Sequence, residues 1–237
     1  MAKVERIPSG IPGLDELMEG GFVKGSTILV SGNAGAGKTI FSLQFLWEGL
    51  KRGEKCLYVT LEELPEEILE DAKVFGWDFE KYLKEGMFFI EYADPFELTD
   101  IVELLVEKIR KNNIQRVVID STSILGLYFD RPSEVRRQLY KLVKSLKQTG
   151  ATAVLTAEIE DQHGFKVSRY GVEEFVVDAV IVIHFLEISV GVSRSIQIRK
   201  MRRTKHSTNL HPLKITENGL VVLSKEQDNI ANLLEEK

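Results

Sequence analysis

Apolar residues along this chain come in short, often β-branched runs that alternate with longer, spaced-out patterns. Thr27 to Ser31 (TILVS) and Cys56 to Thr60 (CLYVT) read as buried strands, and Met87 to Tyr92 (MFFIEY) as a further strand. Arg116 to Ser121 (RVVIDS), Ala151 to Thr156 (ATAVLT) and Ala179 to Phe185 (AVIVIHF) also read as strands. Between them lie helical spacings. Thr39 to Arg52 puts Leu43, Leu46, Trp47 and Leu50 on one face and meets a stop at Gly53. Glu66 to Phe75 starts after Pro65. Glu97 to Lys111 lines up Ile101, Val102, Leu105 and Ile109. Ser133 to Gln148 turns Val135, Leu139, Leu142, Val143 and Leu146 inward, with Ser133 the expected N-cap and Gly150 the expected stop. The pattern then changes: Ser193 to Met201, His211 to Thr216 and Leu220 to Leu223 predict strands joined by short turns, one of them at Asn218-Gly219.

This order predicts an α/β fold: a mainly parallel central sheet with flanking helices, extended by C-terminal antiparallel strands. No repeat and no linker rich in Pro, Gly or Ser interrupts it. Residues 1–237 are therefore expected to form one domain, with 224–237 a frayed end or a short helix on Ile230, Leu233 and Leu234.

Composition narrows the classes. The 237 residues are 43% hydrophobic and 28% charged, which excludes a disordered or low-complexity chain. No apolar run approaches the ~18 residues that span a bilayer, and Met1 to Gly10 lacks the apolar core of a signal peptide. A cytoplasmic protein without a membrane partner is expected. Lys and Arg number 31 against 36 Asp and Glu, a net charge of −5, which disfavours a globally basic nucleic-acid binder but not a local basic patch. Cys56 is the only cysteine, so no intrachain disulfide forms. Cys56, His184, Trp47 and Trp77 all read as packing residues.

The chemistry begins at Gly32-Asn33-Ala34-Gly35-Ala36-Gly37-Lys38-Thr39, which fits G-x-x-x-x-G-K-[ST] between a predicted strand and a predicted helix. Small residues let the backbone curl so that its N–H groups face phosphate oxygens, and the helix start at Thr39-Ile40 adds its dipole. Lys38 is placed for the β- and γ-phosphates of ATP or ADP, and Thr39 for Mg²⁺. Asp120, closing the apolar strand Val117-Val118-Ile119, is a second candidate for the metal shell, off the carboxyl end of a strand. Glu62 and Glu63 follow another strand and point different ways. Either one reaches a water at the γ-phosphate while the other braces it, or both belong to a solvated acidic stretch with Glu66 and Glu67. Arg199-Lys200-Met201-Arg202-Arg203 with Lys205 is five positive charges in seven residues. Taken alone, it is a solvated edge strand or a nucleic-acid patch. No Asn-Lys-x-Asp run exists, which argues against a guanine-specific GTPase.

Together, Ile7-Pro8-Ser9-Gly10-Ile11-Pro12-Gly13-Leu14-Asp15, the phosphate loop, Thr60-Leu61-Glu62-Glu63, Val117 to Ser121, Gly171-Val172-Glu173-Glu174-Phe175 and Lys200 to His206 resemble the KaiC-like branch of the RecA superfamily of ATPases, over residues 4 to 223. The resemblance implies a RecA-like core and a homo-oligomeric ring, expected to be a hexamer, with ATP between neighbours. It implies that Glu62 is the general base with Glu63 assisting, and that Lys200 and Arg202 reach the γ-phosphate on the next subunit. His206 would lie near the nucleotide. A cation supplied in trans would stabilise charge on the transferring phosphoryl group.

Two features depart from the double-domain clock protein of that branch. The chain has one phosphate loop, and the place of the phosphorylated Ser-Thr pair is taken by Glu174-Phe175, which argues against autokinase chemistry there. Gln162 to Tyr170 (QHGFKVSRY) interleaves cations and aromatics as a single-strand contact would, but follows three carboxylates. A ring-lining or substrate-sensing loop is the favoured expectation. The reading is thus an Mg²⁺-dependent ATPase coupled to regulation or to an unidentified protein partner. The alternatives are a nucleotide-gated binding module with slow hydrolysis, or a RecA/RadA-like ATPase on single-stranded DNA.

Overall fold

The structure, a computed structural model, describes residues 4–93, 98–129, 131–159, 167–168, 170–188 and 191–223. The expected tail at 224–237 and most of the 162–170 loop lie outside these residues.

Nine strands form the central sheet: β3 (Thr27–Gly32), β4 (Cys56–Thr60), β5 (Phe88–Tyr92), β6 (Arg116–Asp120), β7 (Thr152–Glu158), β8 (Ala179–Ile188), β9 (Gly191–Met201), β10 (Leu210–Thr216) and β11 (Gly219–Val222). Their spatial order is β11-β10-β9-β8-β3-β7-β6-β4-β5. The six strands from β8 to β5 run parallel. Beyond β8 each step is antiparallel. A two-stranded ribbon of β1 (Arg6–Ile7) and β2 (Phe22–Val23) stands apart.

The inner parallel strands β3, β4, β6 and β7 are buried on both faces, which is why their centres are apolar, whereas the edge strand β5 is only partly covered. Their alternation sorts the core. Ile28 and Val30 of β3 join Tyr58, Val118, Val154, Ile181 and Ile183 on one face. Leu29 joins Leu57, Val59, Val117, Ile119, Leu155, Val180 and Val182 on the other. Helices α1 (Lys38–Lys51), α2 (Pro65–Val74) and α3 (Phe79–Lys84) cover the first face. Helices α4 (Leu98–Asn112) and α5 (Pro132–Thr149) cover the second. A four-residue helix α6 (Glu173–Val176) precedes β8.

Local chemistry explains where expectation and structure part. Helix α5 is capped at Arg131, with Pro132 as its first residue, so Ser133 is not the N-cap. Proline's preset φ and missing N–H suit that first position. Gly150 closes the helix at φ 80°, as expected. The last hairpin pairs Thr216 with Gly219, so its two turn residues are Glu217 and Asn218. Gly219 follows the turn at φ 107°, where a Cβ would meet Gln44 Oε1 at 2.5 Å. Helix α1 is buried around more of its surface than one stripe: Phe41 and Phe45 are sealed alongside Leu43, Leu46 and Leu50. The cause is a strap, residues 8–15, that lies against the helix at Gln44 and Glu48. Gln44 Nε2 donates to Gly10 O (2.9 Å) and Leu220 O (3.1 Å), so α1 is clamped between the sheet, the strap and β11.

Arg116, wholly buried at the start of β6, ties the same region. It donates to Pro8 O (2.9 Å) and Phe45 O (2.8 Å), pairs with Glu54, and lies 4.7 Å over the Phe45 ring. The opening segment is thus held by backbone and core contacts.

Candidate nucleotide site

The phosphate loop joins β3 to α1 at the carboxyl end of the parallel strands. Gly35 and Gly37 adopt left-handed φ of 72° and 104°, which residues with a Cβ rarely take. Helix α1 begins at Lys38, so Lys38, Thr39 and Ile40 form its first turn, where backbone N–H groups lack helical partners. Ala36 is buried, and its N–H donates to Asn33 O at 3.2 Å, closing the loop into a turn. Asn33 anchors the loop sideways: Nδ2 donates to Phe185 O (3.0 Å), and Phe185 N–H donates back to Oδ1 (3.3 Å). Ala34 is exposed at the loop crest.

Lys38 Nζ donates to Gly32 O (3.0 Å) and Asn33 O (3.1 Å), folded over its own loop. Burial pushes its ammonium below the usual lysine range, while Glu158, Asp120 and Glu62 pull the other way. Asp120, at the end of β6, collects three hydroxyls. Thr39 Oγ1 and Tyr58 Oη donate to its Oδ2 at 3.2 and 2.6 Å, and Thr156 Oγ1 donates to its Oδ1. The peptide bond from Asp120 to Ser121 is cis. Ser121 Oγ donates to Glu62 Oε1 at 2.6 Å, so the residue after the metal candidate holds the base candidate. Glu63 is placed through its backbone: Thr60 Oγ1 donates to Glu63 O (2.6 Å) and accepts from Glu63 N–H (3.1 Å). Its carboxyl is pushed up by partial burial, then by the neighbouring Asp120, Asp71, Glu67 and Glu62.

The donor set fits Mg²⁺ and phosphate. A threonine hydroxyl and a carboxylate 3.2 Å apart are hard oxygen donors of the kind Mg²⁺ prefers. The glycine-turned loop and the start of α1 are a cradle for anionic oxygens.

Lys200 and Arg202 are not brought to this loop within the same chain, and His206 makes no hydrogen bond to it among the described residues. Lys200 pairs with Val180, itself opposite Leu29, three residues before Gly32 and so about 10 Å down the sheet. Its Nζ donates to Glu174 O (2.9 Å) and Val177 O (2.7 Å) beside α6. Burial, and next the nearby Arg202, push it below the usual lysine range. Arg202 N–H donates to Asp178 O, and Asp178 N–H donates to Thr27 O, at the start of β3. The Arg202 guanidinium is 56% exposed and lies 3.8 Å from Asp178. His206 Nδ1 is 3.0 Å from Ser207 O.

Sequence reasoning missed four participants. Tyr58, Ser121 and Thr156 hold the carboxylates, and Arg194 of β9 donates to Gly35 O (3.1 Å from Nη2) with its guanidinium 4.2 Å over Phe185. Tyr58 carried a usable signal, since a phenol inside an aliphatic buried strand needs a partner for its hydroxyl. Arg194 carried none, because its meeting with the loop depends on strand pairing. Of the 162–170 loop, Tyr170 donates its hydroxyl to Ser123 O at 2.7 Å. His163, Phe165, Lys166 and Arg169 lie outside the described residues. Cys56 and Trp77 are buried, Trp47 is half-buried against Phe79 and Tyr82, and His184 is half-buried on β8.

A family described as KaiC ATPase matches residues 7–227. The chain is 38% identical to the circadian clock oscillator protein KaiC of Synechococcus elongatus over 228 residues, covering 92% of this chain and 44% of that protein. It therefore spans about half the length of such clock proteins. A UPF0273 protein of Pyrococcus furiosus is 39% identical over 237 residues, covering 92% of this chain and 94% of that protein. The crystal structure of a KaiC-like protein from Pyrococcus horikoshii superposes with a TM-score of 0.84 at 41% identity, covering 93% of this chain and 99% of that one.

Proposed function

Because the chain belongs to the KaiC ATPase family, we propose that it hydrolyses ATP to ADP and phosphate, with Mg²⁺, at a site completed by a neighbouring copy of itself. One observation carries this reading: Lys38, Thr39, Asp120 and Glu62 converge at one end of the sheet, while Lys200 and Arg202 of the same chain face away at the other. A chain so built has both halves of a phosphoryl-transfer site but cannot join them to each other. Head-to-tail contact in a closed ring, a hexamer as the resemblance implies, would join them.

The chain's own groups have distinct tasks. The loop N–H groups and Lys38 hold the phosphates and offset charge on the transferring group. Thr39 and Asp120 would hold Mg²⁺, which when bound neutralises charge on the phosphate oxygens. Glu62, steadied by Ser121, accepts the proton of the attacking water as its oxygen closes on the γ-phosphorus. Glu63 sits beside it and tunes the local field. Lys200 and Arg202 of the adjoining copy approach from the open side, with His206 near the nucleotide edge. Nucleic acid is not favoured as the partner, because Tyr170 of the candidate strand-binding loop is engaged with Ser123.

The test is specific ATPase activity against protein concentration, with Mg²⁺ present. Activity per chain should rise and then saturate as assembly completes the sites. A flat profile, with a sizing column showing monomer throughout, would overturn the shared site. Absence of turnover with nucleotide still bound would favour the nucleotide-gated binding module instead.

A further inference from the structure

Asp120 is gripped by more hydroxyls than a metal carboxylate requires. Thr39 belongs to the loop, and Thr156 comes from the neighbouring strand β7. Tyr58 is different. It is wholly buried in β4, two positions before Thr60, whose register partner is Asp120 itself. The phenol therefore reaches diagonally across the β4–β6 pair, from beneath the site, to the same oxygen that Thr39 approaches from above. Residues i and i+2 of a strand share a face. Tyr58 and Thr60 thus point from one side of β4, one to the metal carboxylate and the other to the turn that carries Glu62 and Glu63.

We propose that Tyr58 is a positioning residue for the metal carboxylate: its hydroxyl, donated to Asp120 Oδ2 at 2.6 Å, fixes the carboxylate's rotation so that Oδ2 faces Thr39. This rests on the nucleotide-site reading above. A carboxylate turns easily about its last bond. Two donors fixed in separate strands, Tyr58 on Oδ2 and Thr156 on Oδ1, hold it at both ends. Partners of this kind, which touch the ligand and not the metal, typically change metal affinity or activity by about 10–100-fold when removed. The competing account is that the phenol merely satisfies its own hydroxyl inside the core.

Tyr58→Phe separates the two, since it removes one oxygen and keeps the ring. The readout is the affinity of a fluorescent ADP analogue with and without Mg²⁺, beside the Mg²⁺ concentration for half-maximal turnover. Tyr58→Phe should leave the Mg²⁺-free affinity unchanged and reduce the Mg²⁺-dependent tightening about tenfold. Asp120→Asn should remove that tightening, and adding Tyr58→Phe to it should change nothing more. If Asp120→Asn removes the tightening but Tyr58→Phe leaves it intact, the role of Tyr58 is overturned and the site reading stands. If Asp120→Asn itself leaves Mg²⁺ dependence intact, the metal reading falls and this inference with it. Equal loss with and without Mg²⁺ in Tyr58→Phe would mark a purely structural phenol and overturn the proposal. Should the variant unfold, 3-fluorotyrosine placed at position 58 gives a second readout: its fluorine resonance should move when Mg²⁺ is added to the nucleotide-loaded protein. An unmoved resonance overturns the role.

Discussion

Each end of the central sheet holds a largely enclosed carboxylate, and the two are held in different ways. At the loop end, Asp120 is surrounded by the hydroxyls of Thr39, Tyr58 and Thr156, and Lys38 rests on carbonyls of its own loop. At the other end, Asp178 accepts from Lys147 Nζ (2.8 Å) and from Thr27 N–H (3.0 Å), with Arg202 3.8 Å away. Hydroxyls are neutral donors that leave a carboxylate its charge for a cation. An ammonium at 2.8 Å largely spends that charge. The loop end therefore keeps the charge that the proposed metal and polyphosphate site would use. The far end has its acid already paired and turns an exposed guanidinium outward.

That contrast can be tested most severely at the far end. Lys200→Ala or Arg202→Ala should cut turnover by about 10³-fold or more, the usual scale for a cation supplied in trans, while each chain still binds nucleotide. Mixing Lys200→Ala with Glu62→Gln should restore part of the activity, because some interfaces then combine an intact Glu62 with an intact Lys200. No recovery on mixing, in rings that exchange subunits, would place both groups in one chain's site.

At the loop end, Glu62→Gln should lower the single-turnover rate by about 10²–10⁴-fold with nucleotide affinity retained. A rate within a few-fold of the parent would move the base elsewhere. Gly49→Ala probes the frame beneath both ends. Alanine gains about 1 kcal/mol of helix propensity over glycine. Its Cβ would, however, lie 2.6 Å from Arg116 Cδ and 3.0 Å from Cys56 Sγ. Displacing the buried Arg116 outweighs the propensity gain, and a net loss of about 1–3 kcal/mol is expected in urea unfolding. A neutral or stabilised variant would show that Arg116 moves freely.

The smallest effect belongs to Glu63. Its carboxyl is raised in the folded chain, so the folded state holds its proton longer than the unfolded state. Stability is then lost as pH rises from the ordinary glutamate value of 4.5 through the raised folded value. Glu63→Gln should stabilise the protein at neutral pH and have no effect well below pH 4.5. The group is half-exposed, and solvent screening keeps the gain within about 0.5 kcal/mol. Melting temperature against pH for both proteins checks the sign.

The principal α/β elements and the phosphate loop were legible because each rests on local information. The central runs Ile28-Leu29-Val30 of β3 and Val117-Val118-Ile119 of β6 are apolar at every position because they are covered on both faces, and the loop announces itself by small residues before Lys38. The short pieces were harder. Helix α3, the β1–β2 ribbon and α6 are two to six residues long, too short for a period to register. The expected Ser133 cap lost to Pro132 because proline occupies the first helical position in the usual way, one residue earlier.

Family resemblance singled out Glu62 from Glu63, but chain order alone determined the alternation of strand and helix, the hydrophobic sorting, the loop and Lys38, Thr39 and Asp120 as its candidates. These depend on nearest neighbours and on periods of two or 3.6 residues, which a sequence carries explicitly. Tertiary structure alone decided that Tyr58 and Thr156 grip Asp120, that Arg194 lies on Gly35, and that Lys200 and Arg202 face away from their own loop. Those facts follow from strand order and register: β4, β6 and β7 are adjacent in space but about 36 to 60 residues apart in the chain, and no local pattern encodes which strand lies beside which.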